Sequence, residues 1–245
     1  YGFHSVQGGN QLWAVFLALL IPALMGALNG FIVIRTGIPS FIATLATRFI
    51  YGGAVWLYST GQMFQTIENV PIYSVFNGRL DLIADRIAGA NFRTSAFWLI
   101  GMVLLFQYVL ARTRFGNHVF GTGGNPGATA AQGVNVKWVK FTCFVMSGVL
   151  AGLAGILLFS QYKTVKIATG SGEELNAIAA AVIGGTVLTG GSGSVVGALI
   201  GVLLISMLRT GVVLVNLVPA DNFGAIVGVT IVGAAIINNW IRNRS

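Results

Sequence analysis

Residues Arg112 to Lys140 read RTRFGNHVFGTGGNPGATAAQGVNVKWVK, and the organisation of the whole chain follows from them. This is the longest polar interruption without a carboxylate, and strongly apolar segments flank it on both sides. Arg112, Arg114, Lys137 and Lys140 bracket it. Basic residues on a short loop between apolar segments mark the cytoplasmic side of a membrane. Inside the loop, Asn125-Pro126 reads as a helix start, because Asn caps free backbone N–H groups and proline fits the first helical position. The small-residue run Gly127-Ala128-Thr129-Ala130-Ala131 follows, and Gly133 supplies a stop. So short and uncharged a helix is poorly stable alone in water, so it is expected to dock into a soluble partner on the cytoplasmic face.

Composition agrees with a membrane setting. The 245 residues are 55% apolar and only 8% charged, where a soluble domain carries roughly a quarter charged residues. Mean hydropathy is +0.82. The reading is an all-α, polytopic integral membrane protein forming one transmembrane domain over residues 1–245. The net charge of +8 comes from scattered basic residues without a patch, so no nucleic-acid partner is expected. Cys143 is the single cysteine and lies in an apolar segment; it excludes an internal disulfide and a Cys-based metal site, and reads as a small core residue. The chain opens at Tyr1 without a charged region followed by an apolar core. The expectation is that it carries no signal peptide of its own and is a piece of a longer protein.

Seven apolar segments follow in order: Leu12–Ile34, Ile38–Tyr58, the short Ala96–Ala111, Trp138–Phe159, Leu175–Leu188, Val195–Leu217 and Phe223–Trp240. The fifth is too short to cross ~30 Å of hydrocarbon at 1.5 Å per residue, and reads as a short or broken span lined by its neighbours. With the C-terminus inside and the segments alternating, the inner ends hold Arg35, Arg112, Arg114, Lys137, Lys140, Arg242 and Arg244, and no acid. The outer ends hold Arg79, Arg86, Arg93, Lys163 and Lys166 with all the acids: Glu68, Asp81, Asp85, Glu173, Glu174 and Asp221. The basic excess places the N-terminus outside and the C-terminus in the cytoplasm. Residues 61–95 become an external loop, in which Leu80 to Ile87 has helical apolar spacing and lies either along the membrane surface or packed as an extramembrane helix. A soluble binding protein would press on this face.

Glycine is the second organising residue. Gly26/Gly30, Gly148/Gly152, Gly197/Gly201 and Gly224/Gly228 sit inside apolar segments at the spacing that lets helices approach closely. The run from Gly184 to Ser194 is the densest, and Gly190–Ser194 reads as a tight cytoplasmic turn.

Enzymatic readings find little support. Gly121-x-Gly123 imitates the start of a dinucleotide fingerprint, but Pro126 stands at the third glycine's place and no strand precedes it. No Gly-Lys pair exists to form a phosphate loop, so ATP is not expected to bind here. Ser192 and Ser194 lack a histidine on a spanning segment, since His4 and His118 lie in the terminus and the loop. Every acid lies at a segment end or in a loop, unlike carriers that use buried carboxylates. Arg48 and Arg209 fall within segments and are expected to snorkel to an interface. Sodium coupling through backbone carbonyls stays open, but energy is expected to enter from another subunit. Small polar residues in apolar spans offer hydrogen bonds without net charge. Asn29, Ser40, Thr44 and Asn176 are the candidates for the substrate pathway; otherwise they cap or bond neighbouring helices.

A family resemblance runs through the chain in order. It is carried by Gly26-Ala27-Leu28-Asn29-Gly30, Ile38-Pro39-Ser40-Phe41-Ile42-Ala43-Thr44-Leu45, Thr113-Arg114-Phe115-Gly116, Gly123-Gly124-Asn125-Pro126 and Gly133-Val134-Asn135-Val136. It continues through the stretches Ser147 to Gly155, Glu174 to Ala180, Val182 to Thr186 and Gly190 to Ser194. These resemble the permease subunits of bacterial ABC importers for simple sugars, the ribose/xylose/arabinose-type group. The resemblance implies a multi-pass permease of the inner membrane, itself no enzyme. Its pore would pair with a second permease copy or homologue among membrane lipid. A cytoplasmic ABC ATPase would bind the ATP and magnesium, and a periplasmic sugar-binding protein would deliver the substrate. It also implies that residues 112–140 supply the coupling loop, with Asn125, Pro126, Gly127, Ala128, Thr129, Ala130, Ala131 and Gly133 fitting a cleft in the ATPase. This chain itself would hold no cofactor or metal. Two departures stand out: the family's N-terminal third, with its Gly-Ile-Asp-Leu-Ser-Val-Gly motif, is missing, and Asn176 stands where the family has Asp. The nearest alternatives are an ABC permease for branched-chain amino acids or nucleosides and, from another class, an ion-coupled secondary carrier.

Overall fold

The computed structural model describes residues 11–65, 71–79, 93–166 and 168–214, with 228 and 233. The elements are α1 (Gln11–Thr36), α2 (Ser40–Ser59), β1 (Phe64–Gln65), α3 (Pro71–Asn77), α4 (Thr94–Arg112), α5 (Arg114–Gly124), α6 (Pro126–Ala131), α7 (Val136–Tyr162), β2 (Thr164–Val165), α8 (Glu173–Ile183) and α9 (Val195–Leu214). Helices α1, α2, α4 and α7 are each long and apolar enough to cross a membrane, and α9 adds a shorter apolar helix. The chain is therefore a polytopic helical membrane protein. Its outward rows of Leu12, Phe16, Phe49, Trp56, Leu104 and Met207 are large, apolar and exposed, as surfaces that face lipid or another membrane subunit must be.

Six of the seven apolar segments fall on these helices. Apart from Gly228 and Gly233, the seventh, Phe223–Trp240, lies outside the described residues. So do the Leu80–Ile87 stretch, Gly224, Glu68, Asp81, Asp85, Asp221, Arg86, Arg242 and Arg244.

The chain divides into two compact units, residues 1–101 with 137–169, and residues 102–136 with 170–245. In the first, α1 and α7 cross through their glycines. A Cβ on Gly26 would strike the Phe144 carbonyl, one on Gly30 would lie 3.1 Å from the Phe144 side chain, and one on Gly148 would strike the Pro22 carbonyl. A Cβ on Gly152 would lie 2.6 Å from the carbonyl oxygen of Ala18. Pro22 inside α1 has no N–H for that carbonyl, so the bare Gly152 backbone covers a group the helix itself leaves open. The two expected glycine pairs thus pack on each other. The numbering falls along α1 as it rises along α7, so the helices are antiparallel, as alternating spans require.

At one end of this unit α3 forms a small cap. Phe76 stacks on Trp98 of α4 at 5.4 Å, Tyr73 meets Phe159 of α7 edge-on at 5.9 Å, and Trp98 Nε1 donates to the Val75 carbonyl at 3.2 Å. Beside it β1 pairs antiparallel with β2, Phe64 opposite Val165. The finish of α2, the start of α4 and the finish of α7 therefore share one end of the unit.

In the second unit α8 and α9 form a tight antiparallel hairpin around Ala179, Ala180 and Ile205. Gly184 and Gly197 touch backbone to backbone, and a Cβ on Gly201 would strike the Ala180 carbonyl. The expected glycine pair on α9 thus meets α8. The segment read over Leu175–Leu188 is helical only to Ile183, because Gly184 is pressed against α9 and Gly185 takes φ +86°. Eleven residues of helix rise about 16 Å. This is a half-length element.

Candidate functional site

The stretch from Arg112 to Lys140 folds as an elbow of two helices meeting at Asn125. The Thr113 hydroxyl donates to the Val109 carbonyl at 2.6 Å and accepts from the Gly116 N–H at 3.2 Å, ending α4 and starting α5. The Asn125 N–H closes α5 on the Gly121 carbonyl at 2.9 Å, while its Oδ1 accepts from the Ala128 N–H at 3.0 Å and opens α6. Pro126 occupies the first turn of α6. Gly133, at φ +85°, donates to the Ala130 carbonyl at 2.9 Å and turns the chain toward α7. Thr129 is buried under α6 beside Gly121, where a Cβ would lie 2.9 Å from its hydroxyl. Gly127, Ala128, Ala130 and Ala131 face outward. The helix presents only small side chains.

Helix α5 goes beyond the sequence reading, which assigned no element to residues 114–124. Four of its eleven residues are glycines, each costing about 1 kcal/mol relative to Ala in a helix. Contact makes up the difference. A Cβ on Gly116 would strike the Leu110 carbonyl, and one on Gly123 would lie 2.7 Å from the Gly191 nitrogen. The expected turn at Gly190–Ser194 is present, with Gly190 and Gly191 at φ +89° and +87°, and it rests directly on α5.

Of the four pathway candidates, Asn29 sits half-buried on α1, and its Oδ1 accepts from the Tyr51 hydroxyl of α2 at 3.3 Å. Ser40 and Thr44 lie one turn apart on α2, where the Thr44 hydroxyl donates to the Ser40 carbonyl at 2.9 Å. Asn176 lies in the other unit on α8, its Nδ2 donating to Glu173 Oε2 at 3.1 Å. Arg209, expected to snorkel, pairs with Glu173 across the hairpin at 3.5 Å, both side chains being well exposed.

Sequence reading missed three partners. Tyr51 was silent as one aromatic among many. Gln107, the one amide inside α4, carries a signal in hindsight: its Oε1 accepts from the N–H groups of Val195 and Val196 at 3.1 and 3.3 Å and caps α9. Glu173 and Arg209 lie at similar distances either side of the glycine turn, as the two arms of a hairpin place a pair. A polar cleft of about 410 Å³ also opens beside the α3 cap, lined by Tyr73, Asn77, Arg93, Ser160 and Lys163 among others. Burial pushes the Tyr73 hydroxyl's pKa up, so it stays neutral there.

Four helices long and apolar enough to cross a membrane define a multi-pass membrane protein. The chain belongs to the family described as branched-chain amino acid transport system / permease component, which matches residues 2–235. It is similar to the ribose import permease protein RbsC of Escherichia coli (strain K12), 34% identical over 94% of this chain and 70% of that protein. The RbsC of Haemophilus influenzae is 35% identical over 82% of this chain and 60% of its own length. The autoinducer 2 import system permease protein LsrC of Enterobacter sp. (strain 638) is 34% identical over 94% of this chain and 64% of its own length. No solved structure matches the chain. The chain is thus an ABC-type permease component of the cell membrane, not an enzyme.

Proposed function

We propose that this chain is the permease subunit of an ABC importer, moving a monosaccharide across the inner membrane by alternating access while a separate ATPase subunit hydrolyses ATP. The observation that carries this reading is α6: an Asn-capped helix with bare, small side chains outward, shaped to seat in a cleft of another protein. Its loop holds Arg112, Arg114, Lys137 and Lys140 and no acid, which favours the cytoplasmic side, with the N-terminus outside and the C-terminus inside. Residues 112–140 are then the coupling loop and residues 61–95 an external loop. On this reading ATP and magnesium are held by the partner, and a periplasmic sugar-binding protein presses on the face that carries the α3 cap and its polar cleft. A second permease copy or homologue completes the pore.

Sugar as cargo is supported by the names of the ribose permeases and by the uncharged character of Asn29, Ser40, Thr44 and Asn176. The family's own description favours a second reading, a branched-chain amino acid, whose carboxylate and ammonium would need charged partners in the pathway. The test is reconstitution with the ATPase and binding protein that co-purify with the chain, followed by uptake of labelled ribose, xylose, arabinose and leucine. Uptake of leucine alone would replace the sugar reading by the second.

A further inference from the structure

Between the elbow and the α8–α9 hairpin lies a contact made without side chains. A Cβ on Gly123 would lie 2.7 Å from the Gly191 nitrogen and 3.4 Å from the Gly190 Cα; one on Gly190 would lie 2.6 Å from the Gly123 carbonyl oxygen, and one on Gly191 2.9 Å from the Gly124 Cα. The turn that receives α5 is closed on itself, since the Val187 N–H donates to the Ser192 carbonyl at 3.1 Å and the Gly190 N–H to the Val187 carbonyl at 2.9 Å. Beyond it, Gly184 meets Gly197 backbone to backbone. Gln107 of α4 independently caps the start of α9 through two N–H groups. On the other side, Thr129 of α6 packs beneath Gly121 of α5.

A contact between side chains absorbs small displacements by rotamer changes. A contact of backbone on backbone at close-packed density has no such freedom and transmits them. We infer that α6, α5 and the Val187–Ser192 turn form one rigid relay that stays closed throughout the transport cycle, with Gly123 as its positioning residue. A push on α6 is thereby delivered to α8 and to the far end of that helix, where Asn176 and Glu173 sit. The inference rests on the proposed role of α6 as the site of the ATPase push. It adds the route, which runs through the glycine turn of the hairpin.

The test uses the complex reconstituted with its ATPase and binding protein, and the sugar among labelled ribose, xylose and arabinose that the wild type carries. A wild type that carries none defeats the importer reading, not the relay. Gly123→Ala should assemble with the ATPase and retain basal ATP hydrolysis, yet lose at least tenfold in uptake. Gly124→Ala, whose Cβ would meet Gly191 only at an ordinary 3.5 Å, should stay within twofold of wild type. Equal uptake by both variants overturns the inference. Should Gly123→Ala fail to assemble, the decision passes to hydrogen exchange on the wild-type complex. Amides of residues 114–124 and 187–192 equally protected in the nucleotide-free and ATP-bound states support a relay that never opens. Loss of their protection in either state overturns it.

Discussion

The hydroxyl of Tyr51 on α2 lies 3.3 Å from Asn29 Oδ1 and 3.5 Å from the Met25 carbonyl, both on α1, so one side chain ties these two spans together. Membrane helices gain little from burying apolar surface against one another, because lipid is equally apolar, so such bonds help to select one packing. Tyr51→Phe should therefore lower the detergent melting temperature of the complex, by a loss on the order of 1 kcal/mol. Asn29→Ala should add little to it in the double variant. Full additivity of the two losses would show that the bond does not form.

The pathway reading separates from this bracing. If Asn29 also meets sugar, Asn29→Ala should reduce uptake more than Tyr51→Phe does at equal membrane level. Ser40→Ala, Thr44→Ala and Asn176→Ala should each raise the substrate concentration needed for half-maximal uptake. Wild-type uptake of every sugar by all four alanine variants would remove these residues from the pathway.

Glycines on α7 should divide by what faces them. A Cβ on Gly148 would strike the Pro22 carbonyl, whereas Gly155 has open space around its Cα. Gly148→Ala should cost about 1–3 kcal/mol through forced separation of α1 and α7 and reduce monodisperse protein in size-exclusion chromatography. Gly155→Ala should elute as wild type. The opposite ranking would contradict the antiparallel crossing.

Orientation can be read by labelling. In a Cys143→Ala background, Lys137→Cys should resist an impermeant maleimide in intact cells and Glu173→Cys should react. Labelling at position 137 in intact cells would invert the topology.

The proposed seating of α6 in the ATPase makes its own demand. Ala130→Trp or Ala131→Trp should abolish uptake at normal membrane level, because a bulky ring replaces a small outward face, and should leave ATP turnover unresponsive to loaded binding protein. Asn125→Ala should weaken α6 by about 1 kcal/mol through loss of its cap and reduce coupling less severely. Wild-type uptake with Trp at both positions would make the loop a plain connector.

What the sequence discloses depends on how local the cause is. The start of α6 was legible because Asn125 and Pro126 act within one turn, and Gly133 likewise needs only its own φ. The glycine pairs at Gly26/Gly30 and Gly148/Gly152 announced close packing but not their partner, which only the fold supplies. Helix α5 was illegible, since four glycines argue against a helix and the compensating contact with Gly190 and Gly191 comes from residues some seventy positions away. The partner of Arg209 was illegible for a similar reason: Glu173 is 36 positions distant, and hydropathy alone sees only a charge in a span.

The half-length of α8 bears on the barrier itself. Its start is capped by Gly172 without a side-chain bond and is followed at once by Glu173 and Glu174, with the Arg209 guanidinium alongside. Hydrocarbon does not readily accept carboxylate and guanidinium side chains. This end of α8 therefore meets water or lipid headgroups. Eleven residues account for about 16 Å of the ~30 Å a full span covers. On its own α8 therefore cannot separate the two sides of a bilayer, and that task falls to the full-length helices.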